Sequence, residues 1–132
     1  ERGLLRKNQR VEDRTLKTKN KLLYDRNEDV PFTGEHVQWH KDGSQKSYSF
    51  LKDGKPHSVA KTLYVNGQVK LQEWYQDGEL HGVAQAWHIN GKRWLVARYR
   101  VGKLDGPYRE WDAQGNVVKQ ITYKNGVEVS SN

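Results

Sequence analysis

The chain has no cysteine and no methionine, and only three of its 132 residues are proline. The absence of cysteine excludes a disulfide framework and any metal site built on thiolates. No segment approaches the ~20 consecutive apolar residues that a membrane-spanning helix needs. Because residue 1 is not methionine, we expect a chain that has been processed or truncated, and we expect what remains of it to be soluble.

Apolar residues are also scarce, at 34% of the chain, whereas there are 5 Trp and 7 Tyr. A domain of this size with so few aliphatic residues is not expected to bury a deep two-sided core. Large amphipathic rings must then supply much of the buried area, which favours a thin and flat architecture.

The net charge of +7 is concentrated near the N-terminus. Residues 1–24 contain 8 Lys and Arg against 3 Asp and Glu, whereas residues 25–132 contain 15 against 13. The excess therefore belongs mainly to a basic N-terminal arm and not to the rest of the chain.

An internal repeat organises the chain from Phe32 onward, with a spacing of 24 residues. We use the word column for a set of residues that recur at this spacing. Three columns are rich in glycine: Gly43, Gly67, Gly91, Gly115; Gly54, Gly78, Gly102, Gly126; and Gly34, Ser58, Gly82, Gly106. Two columns are apolar: Trp39, Leu63, Trp87, Trp111; and Leu51, Tyr75, Tyr99, Tyr123. Columns in register predict a repeat architecture.

Each repeat is predicted to be a β-hairpin, because the first glycine follows Asp42, Asn66, Asn90 or Gln114 between two runs of about seven residues. The second glycine reverses the chain into the next unit. The fold class is therefore all-β: a single-layer antiparallel β-meander of four hairpin repeats, about eight strands, with helix nearly excluded after residue 30. The repeats span about 32–55, 56–79, 80–103 and 104–128.

The facing of the strands depends on the hairpin turn. A three-residue loop with the glycine as a bulge places the two apolar columns on one face, whereas a two-residue turn pairs Trp87 with Trp94. We favour the bulge. It leaves a mixed face that contains His36, Gln38, His40, Lys46, Tyr48, Phe50, Tyr64, Lys70, Gln72, Trp74, His88, Trp94, Val96, Arg98, Tyr108 and Glu110.

Residues before the first repeat lack the glycine turns. Residues 1–20 are predicted to be a basic arm or linker, with residues 1–13 either extended or a marginal helix that orders only by docking. Residues 21–132 form the repeat domain, in which Lys21–Tyr24 is a short edge strand that caps the sheet.

The units resemble the MORN repeat variant, as in the segments from Trp74 to Val83 and from Tyr99 to Tyr108. The arrangement is similar to the YwqK-type antitoxin family of bacteria, and Val30–Gly34 resembles the entry to its first repeat. The resemblance covers about residues 14–128, and Ser58 departs from its glycine pattern. It implies antitoxin or immunity proteins that are often exported or lipid-anchored, with no catalytic residues to carry over.

Residues for catalysis or metal binding are not evident. His36 and His40 lie ~13 Å apart on an extended strand, too far to share a metal ion. His57 and His81 lie ~10 Å apart in equivalent loops. No serine lies in the Gly-x-Ser-x-Gly turn that is typical of a serine nucleophile. The interpretation is a protein that is not an enzyme and has no cofactor or metal.

Binding is the remaining interpretation. Trp, Tyr and Arg most often carry interface energy, and we assign partner binding to exposed residues of the mixed face: Tyr48, Phe50, Tyr64, Trp74, Trp94, Arg98, His40 and Lys70. The same rings also fit cross-strand ladders that stabilise a single-layer sheet.

The leading hypothesis is an antitoxin or immunity protein that binds a cognate toxin or effector, an enzyme that attacks membrane or cell wall. We expect it in the periplasm or anchored to the outer membrane, in preference to the cytoplasm. The alternative is a structural or membrane-associating module whose basic arm contacts anionic lipid. Nucleic acid is not expected as a partner, since a nearly charge-balanced sheet offers no continuous basic groove.

Overall fold

A computed structural model of the chain describes residues 10–12, 16–19, 22–25 and 30–131. These residues form strands and contain no helix, which confirms the all-β expectation. The strands are β1 (Arg10–Glu12), β2 (Leu16–Lys19), β3 (Leu22–Asp25), β4 (Gly34–Trp39), β5 (Gln45–Lys52), β6 (Lys55–Leu63), β7 (Val69–Gln76), β8 (Glu79–Leu80), β9 (Gly82–Trp87), β10 (Arg93–Arg100), β11 (Lys103–Trp111), β12 (Val117–Lys124) and β13 (Val127–Ser131).

The main sheet is an antiparallel meander from β4 to β13, in which each strand pairs with the next one along the chain. The short β8 pairs only with β7, and β9 then takes the next position in the sheet. The expected meander is therefore present, and its contacts are mostly between neighbours in sequence.

The hairpin turns contain the first glycine column. The N–H of His40 donates to the Ser44 carbonyl at 2.8 Å, and the N–H of Gly43 donates to the His40 carbonyl at 3.0 Å. Gly43 has a φ of 91°, the left-handed conformation that glycine adopts without steric cost. Equivalent pairs of bonds recur at Tyr64, His88 and Asp112. The expected three-residue loop with a glycine bulge is confirmed.

The turns between hairpins contain the second glycine column, and they are shorter. Asp53 and Gly54 both have positive φ, which is typical of a two-residue turn. The Gly54 N–H donates to the Phe32 carbonyl at 2.7 Å, so this turn is attached to the chain that precedes its own hairpin. Gly78, Gly102 and Gly126 make the equivalent bonds with Pro56, Leu80 and Leu104.

A one-residue bulge follows each hairpin turn, and it reverses the facing predicted from the sequence. Trp39 pairs with Gln45, but Gln38 pairs with Ser47, so Lys46 has no partner. Because side chains alternate along a strand, one extra residue moves all those beyond it to the opposite face. The Trp39 and Leu51 columns were predicted to share a face; they lie on opposite faces. The other bulges are at Lys70, Trp94 and Val118.

The described N-terminal strands lie at one end of the sheet. The expected short strand is present as β3, but its partner is β2, with which it forms a separate two-stranded sheet. β1, which falls within the range predicted as an arm, pairs in parallel with β4. The expectation for residues 1–9 lies outside the described residues.

A small core joins the two-stranded sheet to the meander. Leu16, Phe32 and Leu51 form its buried cluster, and Leu23 packs against them. The other buried apolar residues of the described chain lie in the meander, and they are Val37, Ala84, Ala86, Ala97 and Ile121. Tryptophan and tyrosine were expected to supply much of the buried area; among the described residues they are half-buried or exposed.

Candidate binding surface

The Trp39 column defines one face of the meander, which we call the tryptophan face. Val59 pairs with Trp74 and Val83 pairs with Arg98, which places these residues on the same side as the column. Between β6 and β12 the middle of the tryptophan face includes Val59, Lys61, Leu63, Gln72, Trp74, Val83, Gln85, Trp87, Arg93, Val96, Arg98, Pro107, Arg109, Trp111, Gln120 and Thr122.

The opposite side, which we call the tyrosine face, is more densely packed. Over the same strands it consists of Ala60, Thr62, Leu71, Glu73, Tyr75, Ala84, Ala86, Leu95, Ala97, Tyr99, Tyr108, Glu110, Lys119, Ile121 and Tyr123. Burial raises the pKa of the Glu73 carboxyl and of the Tyr75 and Tyr99 hydroxyls. Desolvation of this kind indicates side chains that cover one another and leave little room for a partner.

Charge is divided unequally between the two faces. The mid-strand residues of the tryptophan face named above include four cations and no carboxylate, whereas Glu79, which pairs with Gln76, and Glu35 on β4 lie toward the margins of the same face. The tyrosine face has Glu73 and Glu110 with one cation, Lys119. The near balance of charge along the sequence therefore does not hold for the middle of the tryptophan face. One side of the sheet is basic and aromatic, and such a surface favours a partner of negative charge.

The most organised part of the tryptophan face is centred on Trp111. The guanidinium carbons of Arg93 and Arg109 each lie 5.9 Å from the centroid of the Trp111 ring. These three side chains line a shallow cavity of about 280 Å³ together with Val96 and Pro107. We call this arrangement the arginine cradle.

A second cavity, of about 540 Å³, lies beside Trp74 and is lined by His57, His81 and Val83 among others. Its histidines have structural roles. The His57 Nδ1 accepts the Asp77 backbone N–H at 3.3 Å, and the His81 Nδ1 accepts that of Val101 at 3.2 Å. Each imidazole therefore caps the two-residue turn that ends its own hairpin.

Four of the eight residues predicted to bind a partner lie together on the tryptophan face. Glu35 pairs with Phe50 and Val37 pairs with Tyr48, which extends this face to β4 and β5. Trp74 and Arg98 lie nearer its centre. The Tyr48 hydroxyl also donates to the Glu35 carboxylate at 3.0 Å.

The other four predicted residues lie beside the hairpin turns. His40 Nε2–H donates to the Leu63 carbonyl at 2.9 Å, and the Tyr64 hydroxyl donates to the Trp87 carbonyl at 2.7 Å. Lys70 lies over the Tyr64 ring, with Nζ 5.8 Å from its centroid. The Trp94 ring lies 5.8 Å from that of His88. His40 and Tyr64 are thus links between consecutive hairpins, and the structure does not bring this group together with the first four.

Sequence reasoning missed Arg93, Arg109 and Trp111. Trp111 was assigned to a packed apolar face, and neither arginine was connected with it. The spacing of Arg109 and Trp111, two residues apart on one strand, is a signal for side chains on the same face. The contribution of Arg93 depends on the bulge at Trp94, which the sequence does not reveal.

The part of the chain that the structure describes has neither a metal-ligand cluster nor a membrane-spanning helix. No group of three or more histidine or acidic side chains there is arranged to hold a metal ion. None of the described residues belongs to a helix long and apolar enough to span a membrane.

Comparison with known proteins adds no relative: no protein-family model, no curated protein and no solved structure matches the chain. The function must therefore be inferred from the surface itself and from the resemblance of the hairpin units.

Proposed function

We propose that the chain is a protein-binding module that neutralises a cognate bacterial toxin or effector by covering part of its surface with the tryptophan face. The observation that carries the proposal is the composition of the middle of this face, where exposed rings lie with four cations and the carboxylates Glu35 and Glu79 lie toward the margins. Tryptophan and arginine are enriched among the residues that contribute most to protein–protein binding.

The exposed rings support an interface more strongly than a stabilising ladder. Trp74 is 42% exposed although it lies in the middle of a strand pair. Exposed rings that lie together on one face are typical of an interaction surface. The basic character of the patch favours a partner with an acidic surface.

The more specific role, as an antitoxin or immunity protein, is supported by the resemblance of the units to the MORN repeat variant of YwqK-type antitoxins. In that role the chain acts outside the cytoplasm, in the periplasm or on the outer membrane. Its partner is an enzyme that attacks the membrane or the cell wall, and the tryptophan face covers the active site of that enzyme.

The experiment is to co-express the chain with the product of the neighbouring gene and to measure both complex formation and survival of the cells. Trp74→Ala and Trp94→Ala form a matched pair, because these rings are 42% and 40% exposed, but Trp74 is paired within the tryptophan face whereas Trp94 is an unpaired residue beside the His88 ring. We expect Trp74→Ala to weaken binding and protection at least tenfold more than Trp94→Ala. Equal effects, or no complex with the neighbour, would contradict the proposal.

A membrane-associating module is the second candidate, and the net charge of +5 in residues 1–24 favours it. Sedimentation with anionic vesicles tests it directly. Binding that is sensitive to salt and is lost when residues 1–20 are deleted would favour this function if no protein partner is found.

A further inference from the structure

The arginine cradle places two guanidinium groups around one tryptophan ring. Arg93 comes from β10, whereas Arg109 and Trp111 come from β11, so two neighbouring strands build it. Contact with the ring limits the motion of both side chains, and both arginines are exposed. Within the described chain, neither arginine forms a salt bridge with an acidic residue. The cradle thus has two positioned cations without a compensating anion.

The chemistry of the cradle favours a carboxylate. A guanidinium presents paired N–H donors that match the two oxygens of a carboxylate, and the bonds are strengthened by charge on both sides. Val96 and Pro107 give the cavity an apolar wall, which suits the methylene groups of an acidic side chain. The cavity of about 280 Å³ is too small for more than a side chain or two.

Single-stranded nucleic acid fits the cradle less well. Base stacking needs an open ring face, and the Trp111 ring is already in contact with two guanidinium groups. A phosphate backbone also needs a continuous series of cations. On this face the strands between Lys61 and Arg93 supply Gln72 and Gln85 in the middle row, so the series is interrupted over three strand spacings, ~14 Å.

We propose that the arginine cradle is the site at which this chain binds an Asp or Glu side chain of a partner protein. The inference rests on the proposed function, because it identifies the anchor of the same interface. The carboxylate lies between Arg93 and Arg109 and accepts hydrogen bonds from both, while Trp111 keeps the two guanidinium groups in place.

The test uses NMR titration of the full chain with a blocked hexaglutamate peptide. We expect the Nε–H signals of Arg93 and Arg109 and the indole N–H of Trp111 to shift together and to saturate. Arg93→Gln or Arg109→Gln should weaken the binding about tenfold, since hydrogen bonds to charged groups are among the stronger ones. Both arginines are exposed, and an unchanged melting temperature will show that the variants fold.

The matched control is Lys119→Gln. Lys119 also lies over an aromatic ring, with Nζ 5.6 Å from the Tyr108 centroid, but on the tyrosine face. The Lys119→Gln variant removes the same charge and should change the affinity for hexaglutamate less than twofold. An equal loss in this variant would mean that only net charge matters, and it would overturn the proposal.

Other outcomes also decide the matter. Tighter binding of an oligothymidylate, or of vesicles that contain phosphatidylglycerol, with shifts at the same three residues would assign the cradle to phosphate and overturn the proposal. No shift with hexaglutamate would overturn it as well. Shifts in the cradle without a complex between the chain and its neighbour would reject the proposed function and keep the carboxylate site.

Discussion

The Nδ1 atom of His81 accepts the backbone N–H of Val101 at 3.2 Å, across twenty residues of sequence. The same column supplies the same bond elsewhere: the Thr33 hydroxyl and the Asp105 carboxylate accept the N–H groups of Asp53 and Asn125. Histidine, threonine and aspartate in this column therefore have the same role, since each accepts a hydrogen bond from the backbone of the two-residue turn that ends its hairpin. Histidine at this position is a hydrogen-bond acceptor for the turn.

Replacing His81 tests this role. We expect His81→Ala to lower the free energy of unfolding by about 0.5–1.5 kcal/mol, because one hydrogen bond is lost. His81→Thr should restore much of the lost stability, since the Thr33 hydroxyl accepts the equivalent hydrogen bond from Asp53. Chemical denaturation of the three proteins measures both effects. A threonine variant no more stable than the alanine variant would contradict the assigned role.

Val101 is a β-branched residue in the left-handed conformation, with a φ of 47°. This conformation costs roughly 1–2 kcal/mol for a residue with a side chain, and asparagine tolerates it better. Val101 is 58% exposed, so little packing is lost on substitution. Val101→Asn, which reproduces the residue at position 125, should stabilise the chain by about 1 kcal/mol. Thermal unfolding will show a higher melting temperature if the strain is real.

Two glycines with similar φ differ in their surroundings. A Cβ at Gly43 meets nothing within 4 Å, whereas a Cβ at Gly54 lies 2.8 Å from the Leu23 carbonyl oxygen. Gly43→Ala should therefore cost only the left-handed strain, about 1–2 kcal/mol. Gly54→Ala should cost clearly more, because β3 must move away from the turn. Equal losses on denaturation would show that β3 contributes nothing to the stability of the turn.

Glu73 lies half-buried on the tyrosine face, and burial raises the pKa of its carboxyl. Its contribution to stability is largest at low pH, where the carboxyl is protonated, and falls as pH rises through the raised pKa of the folded state. Glu73→Gln should therefore raise the melting temperature at pH 7, and this gain should shrink toward pH 4. Glu79→Gln, at an exposed residue, controls for the change in net charge. A gain at pH 4 as large as that at pH 7 would contradict the assigned burial effect.

The hairpins and their turns were predictable because their signals are local. Glycine after an asparagine or aspartate specifies a turn by its own backbone preferences, as at Gly43 and Gly67. Even Ser58, which breaks a glycine column, adopts a positive φ of 66°. The chain therefore keeps the left-handed backbone conformation at this position even where serine replaces glycine.

Which face each strand presents was not predictable, because no particular residue type marks the unpaired residue that follows each hairpin turn. Lys46, Lys70, Trp94 and Val118 occupy it in the four hairpins, and they share neither size nor charge. The parallel pairing of β1 with β4 was missed for a similar reason, since no turn signal joins two strands so far apart in sequence.

The candidate site was predicted on the side opposite the Trp39 column. Trp74 and Arg98 lie instead on the same side as that column, in the tryptophan face, and their selection as partner-binding residues stays a prediction. The selection of His40 and Tyr64 as contacts overlooked the carbonyl groups that the next hairpin brings within reach of their side chains. Those carbonyls lie 23 residues away and become neighbours only when the sheet forms.

The one-residue bulge has a consequence for how such a sheet can change during evolution. Deleting the unpaired residue from one hairpin would move the side chains of every strand beyond it to the opposite side relative to the strands before it. Duplicating a whole 24-residue unit would instead preserve both sides, since each unit carries its own bulge. Growth by complete units is therefore tolerated, and the width of the basic surface can be adjusted in steps without redesigning either side.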